Sequence, residues 1–143
     1  MPERADASRT IYGTSLDHKR DITFRTHDLN RFLHPYAWLN DECMNGGSQA
    51  ILRHFGSARA LGDPALFSTW VFATHLSGDD DALWRFSRVA GEFWRKDIWL
   101  IPVHREGNHW TLAIVYWRKQ QIAYFDSLSS EDAFETDVKV CMN

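Results

Sequence analysis

His109 and Asp126 are the residues whose types and spacing suit them to proton transfer. They bracket HWTLAIVYWRKQQIAYFD, which alternates like two β-strands joined by a turn around Arg118 to Gln121. Folding the strands back on each other places Asp126 across from Thr111 or Ala113. Side chains two residues apart share a face, so His109 points the same way as Asp126. The remaining offset, about 7 to 13 Å along the strand, must be shortened by a twist or bulge. An aspartate that accepts the Nδ1 proton of a histidine fixes its tautomer and steadies the imidazolium, leaving Nε2 as a base toward a nucleophile. That is two thirds of a hydrolytic triad. Alternatively, His109 simply opens a strand and Asp126 caps the turn DSLSS, whose serines are turn formers.

The elements that must position this pair are legible around it. Asp97 to His104 reads as a short apolar strand, His109 to Trp117 as a second and Ile122 to Phe125 as a third. Upstream, Leu83, Phe86, Val89, Ala90, Phe93 and Trp94 repeat at helical spacing and predict an amphipathic helix over Ala82 to Trp94. ALFSTWVFATHL is apolar throughout, and periodicity leaves its type open. Before it, Asn40 or Asp41 is a natural N-cap for a helix carrying Met44, Gly47, Ile51 and Phe55 toward the core. The Gly46-Gly47 pair costs that helix about 1 kcal/mol per glycine but permits another backbone to approach closely. ITF at Ile22 predicts a strand, and Thr26 a cap for a turn bearing Leu29, Phe32 and Leu33, stopped by Pro35. The class is α+β, helices packed on an antiparallel sheet. Residues 1–20 are polar and aperiodic and read as a tail, leaving 21–143 as the domain.

At 143 residues, with 44% hydrophobic and 14% aromatic residues, the chain has the composition of one packed domain. A net charge of −3 without a single-sign block disfavours nucleic acid and anionic membranes. The longest apolar run, Ile98 to Val103, is far below the ~20 residues of a membrane helix, and the N-terminus has no secretory pattern. Two cysteines, Cys43 and Cys141, fit a reducing intracellular setting, nucleus or cytoplasm. His104 and His109 straddle a turn in a spacing that matches no zinc pattern, so no metal is expected.

Taken together, WLNDE (38–42), IPVHREGNHWTLAIVYW (101–117) and IAYFDSLSS (122–130) resemble the cysteine proteases that process SUMO and related ubiquitin-like proteins. The resemblance runs from about Ile22 to Ser130. It implies a papain-like cysteine protease fold, His109 as catalytic histidine and Asp126 as its orienting aspartate. It implies that Trp38 and Trp110 enclose the Gly-Gly tail of the substrate, since flat indoles admit a glycine backbone and no side chain. Core packing is the alternative use of the seven tryptophans. Asp41 matches a position that contacts the ubiquitin-like body, although an N-cap role accounts for it equally. The implied reaction is hydrolysis of a peptide or isopeptide bond, by a monomer, with no cofactor, and SUMO or a related protein as partner. The same motifs serve enzymes that cut viral or transposon polyproteins.

In that family the nucleophile and oxyanion donor come from a Gln and a Cys-Gly well downstream of the aspartate, and no such segment follows DSLSS here. VCMN resembles the end of the nucleophile helix, and counting back from Cys141 sets Thr136 at the cysteine and Asp137 at its glycine. The resemblance therefore implies a fold incomplete toward the C-terminus, through an internal deletion or in a degenerate, inactive relative. Cys43, in the first turn of a helix, is expected as a packed thiol rather than a substitute nucleophile. The chain as written is expected not to cut, and engagement of a ubiquitin-like tail without cleavage is the rival reading.

Overall fold

The computed structural model describes residues 8–12, 22–55, 64–105 and 109–128. These fall into two compact units, Met1–Ser57 and Ala58–Asn143.

In the first unit, β1 (Ser8–Tyr12) pairs antiparallel with β2 (Ile22–Arg25). Part of the stretch expected as a tail is thus a strand, because backbone pairing satisfies its N–H and C=O groups whatever its side chains. Helices α1 (Thr26–Leu33) and α2 (Asp41–Phe55) follow. The cap of α1 is Arg25 rather than Thr26, and its backbone N–H donates to the Asp28 carboxylate at 2.9 Å. The expected apolar side is not the buried one. Phe32 and Leu33 are exposed while Asp28 is enclosed. In α2 the buried side is likewise displaced from the expected one, to Cys43 and Gly46, with Ile51 exposed. Asn40 Oδ1 caps α2 by accepting the Cys43 N–H at 3.0 Å, and the Cys43 thiol points inward to the Asp28 carbonyl at 3.4 Å. What approaches the glycine pair closely is the Phe32 side-chain ring rather than the backbone expected there. A Cβ on Gly47 would meet Phe32 Cζ at 3.3 Å.

The second unit carries β3 (Pro64–Leu66), α3 (Trp70–Ser77), α4 (Asp80–Ser87), β4 (Ile98–Arg105), β5 (His109–Tyr116) and β6 (Gln121–Asp126). The sheet runs β3-β4-β5-β6, with β3 parallel to β4 and the other pairs antiparallel. The undecided ALFSTWVFATHL is therefore part strand and part helix, and it makes the expected antiparallel sheet mixed while leaving the α+β class intact. The helix expected over Ala82 to Trp94 ends at Ser87. Tight turns at Arg88–Ala90 and Phe93–Arg95 replace it, separated by Gly91 at φ 71°, a conformation that suits glycine. Leu83 and Phe86 reach the core from α4, and Phe93 from the second tight turn.

That core lies on one sheet face. Ile101, Val103, Ala113 and Val115 are buried against Phe67, Val71 and Phe72. On the opposite face Leu112 and Ile114 are half-buried. Among the described residues no tryptophan is buried. Trp84 and Trp94 hold their edges to Phe93, at 6.4 and 5.1 Å between ring centroids, and leave half of each indole in solvent.

Candidate active site

The β5–β6 ladder pairs Thr111 with Asp126, the shorter of the two registers expected. His109, two residues before Thr111, is then Asp126's diagonal neighbour on the same face. Such neighbours lie about 7 to 8 Å apart at the backbone, within reach of an imidazole and a carboxylate. His109 Nε2 meets Asp126 Oδ1 at 2.5 Å, with side chains 13% and 5% exposed. The same Oδ1 accepts the backbone N–H of Leu128 at 2.8 Å. The aspartate therefore caps its turn and holds the histidine with one oxygen, so the two readings of this pair are not exclusive.

The ring nitrogen differs from the one expected. In the expected triad Asp126 takes the Nδ1 proton, whereas in the structure it meets Nε2. The diagonal offset is the reason, since the ring must extend along the strand and only its far nitrogen spans the gap. Nδ1, on the backbone side of the ring, is left for proton exchange.

Trp110 turns to the other sheet face, as strand alternation requires. There its ring lies 4.6 Å from that of His104, its partner across β4. His104 and His109 thus point to opposite faces and cannot share a metal. Among the described residues no group of three or more His, Cys, Asp or Glu could hold one.

The remaining two candidates belong to the first unit. Trp38 is 54% exposed in the loop before α2, and its carbonyl accepts a hydrogen bond from Arg31 Nη1. Asp41 is the first residue of α2 and is half-buried, with Glu42 beside it at the helix's positive end. A residue that the sequence reading passed over joins them. Asp28, 1% exposed, accepts from Arg25 N–H at 2.9 Å and from Asn40 Nδ2 at 2.7 Å, and pairs with His27 Nε2 at 2.9 Å. The signal was THD after a strand, an acid at the third position of a helix where it can reach back to the cap.

Cys43 is 1% exposed and its thiol donates to the Asp28 carbonyl at 3.4 Å. Burial pushes the thiol above its ordinary 9.0, opposed by a hydrogen bond at Asn40 and assisted by the Asp28 charge. This is the reverse of what a nucleophilic thiolate requires. A raised folded-state pKa means that stability is whole below pH 9.0 and is lost as pH rises above it, where only the unfolded chain ionises. Urea unfolding between pH 8 and 10.5 should show this loss, at most about 1.4 kcal/mol per pH unit. Cys43→Ser should lose less over the same range.

Residues 82–143 match the Ulp1 protease family, C-terminal catalytic domain. The chain is 33% identical over 98 residues to Sentrin-specific protease 2 of Homo sapiens, covering 67% of this chain and 16% of that protein. It is 27% identical over 156 residues to Ubiquitin-like-specific protease ESD4 of Arabidopsis thaliana, covering 92% and 30%. The chain thus spans well under half the length of either curated relative. Among solved structures, SUMO protease Ulp1 with its catalytic cysteine oxidized to a sulfenic acid superimposes with a TM-score of 0.59 and 25% identity, covering 90% of this chain and 59% of that one. The Ulp1 protease domain in complex with Smt3, the yeast ortholog of SUMO, does so with a TM-score of 0.58 and 20% identity, covering 96% and 58%. Among the described residues no helix is long and apolar enough to cross a membrane. With its histidine and aspartate in contact on this sheet, the chain belongs to the Ulp1 protease family, of whose catalytic domain it spans a part.

Proposed function

We propose that residues 21–143 form a ubiquitin-like-protease domain that recognises the Gly-Gly tail of SUMO or a related protein, and whose complete form hydrolyses the peptide or isopeptide bond after that tail. His109 serves as the base, receiving the thiol proton at Nδ1, and Asp126 orients it. Trp38 and Trp110 hold the glycine backbone and Asp41 meets the ubiquitin-like body. The observation that carries this reading is the 2.5 Å contact of His109 Nε2 with Asp126 Oδ1 at the end of the sheet.

In the chain as written the nucleophile is missing, so it binds without cutting. Two facts support this second part. Of its two cysteines, Cys43 is buried in the first unit with a raised pKa, and Cys141 lies outside the described residues. The alignment with the Arabidopsis thaliana relative is longer than this chain, so that relative carries residues with no counterpart here.

Titration of the chain with a Gly-Gly-ended SUMO tests the proposal. Saturable binding is expected without release of product. Trp110→Ala should weaken it about 30-fold, the effect of removing one central indole worth about 2 kcal/mol. Absence of binding by the parent chain overturns the proposal.

A further inference from the structure

We infer that Asp28 is a positioning residue for tail binding, acting through Asn40 on the loop that carries Trp38. The inference rests on the proposed role of Trp38 and adds a cause for that indole's placement. A carboxylate enclosed to 1% exposure is costly unless its oxygens are bonded, and an apolar residue would fill the space more cheaply. Here both oxygens are used. Oδ2 takes the Arg25 N–H and Oδ1 takes Asn40 Nδ2, with His27 Nε2 also on Oδ1. Asn40 is held from both ends, since its amide nitrogen donates to Asp28 while its Oδ1 accepts the Cys43 N–H. Arg31, one turn further along α1, donates to the Trp38 carbonyl. The loop from Trp38 to Asn40 is therefore gripped at each end by α1, and the start of α2 is fixed by the residue that Asp28 orients.

This arrangement preorganises an exposed indole whose own ring is more than half in solvent. Without the Asp28 to Asn40 link, Asn40 loses the partner that sets its rotamer, the cap of α2 weakens, and Trp38 must be ordered when the tail arrives. Asp28 itself touches no substrate.

The test is a swap combined with a double-mutant cycle, read as Kd for Gly-Gly-ended SUMO and as hydrogen exchange of residues 40–44. D28N keeps the shape and the acceptor for Arg25 but sets a donor against the amide of Asn40. It should weaken binding about tenfold, the size of a lost charge-assisted hydrogen bond, and speed exchange at Cys43. In D28N/N40D the introduced amide at position 28 donates to the introduced carboxylate at position 40, which still accepts the Cys43 N–H. Binding should return to within about twofold of the parent, the scatter expected of additive sites. In a Trp38→Ala background D28N should lose most of its effect, because both changes act on the same indole and only the part carried by Asp41 at the start of α2 should remain. Failure of the swap to restore binding in a folded protein overturns the inference, as does a full tenfold effect of D28N without Trp38. If the parent chain binds no SUMO, the proposed function fails and the tail-binding role with it. Exchange at Cys43 then still reports whether Asp28 holds Asn40.

Discussion

A SUMO reporter that releases a fluorophore after Gly-Gly is expected to stay uncut by the 143-residue chain, and to be cut once a Gln and Cys-Gly segment from a relative is inserted after Ser130. The expected gain is about a millionfold, since loss of the nucleophile alone costs a hydrolase nearly as much as loss of its whole catalytic set. The histidine and aspartate are already assembled by strand register, so the insertion need supply only a thiol and its oxyanion donors. The rate before and after insertion, with and without a thiol-blocking reagent, checks this. Thiol-sensitive turnover by the uninserted chain would mean that Cys43 or Cys141 can reach His109. For Cys43 that requires an enclosed thiol with a raised pKa to leave its place against the Asp28 carbonyl.

The pair was legible because strands have a period of two and a tight turn fixes register, so His109 and Asp126 fall on one face from spacing alone. Which nitrogen faces the carboxylate was not legible, because it depends on a diagonal offset resolved only by the observed register of Thr111 on Asp126. The helices of the first unit were read from apolar spacing and their faces came out displaced. Polar contacts rather than apolar spacing mark their buried side, with Asp28 bonded to Asn40 and to the Cys43 thiol while Phe32 and Leu33 remain exposed. The helix expected to Trp94 ends at Ser87, and at Gly91 a positive φ lets the chain turn back toward β4 while Phe93 keeps its contact with Phe67. A helical repeat of apolar residues records only that each meets other apolar groups, and separate tight turns meet that condition equally well.

In the completed domain, Asp126→Ala should lower kcat by about ten-thousandfold with KM nearly unchanged, whereas Asp126→Asn should keep most of the activity. The large loss follows from the role of the acceptor. Without it, His109 loses both the group that fixes its tautomer and the charge that steadies the imidazolium. In a serine hydrolase the asparagine replacement is as damaging, because the amide turns its nitrogen to the ring and imposes the wrong tautomer. Here the backbone N–H of Leu128 donates to the same Oδ1 that receives His109, at 2.8 Å. An amide at this position must present oxygen to Leu128, and that oxygen is then the atom facing His109 Nε2. The tautomer with its proton on Nε2 is preserved, and Nδ1 stays open to the thiol. Cysteine hydrolases of this fold class also function with an asparagine as third member. Measured kcat and KM for the parent and both variants decide the matter. An asparagine variant as slow as the alanine one would show that the charge of Asp126, rather than its placement of the ring, is what the reaction uses.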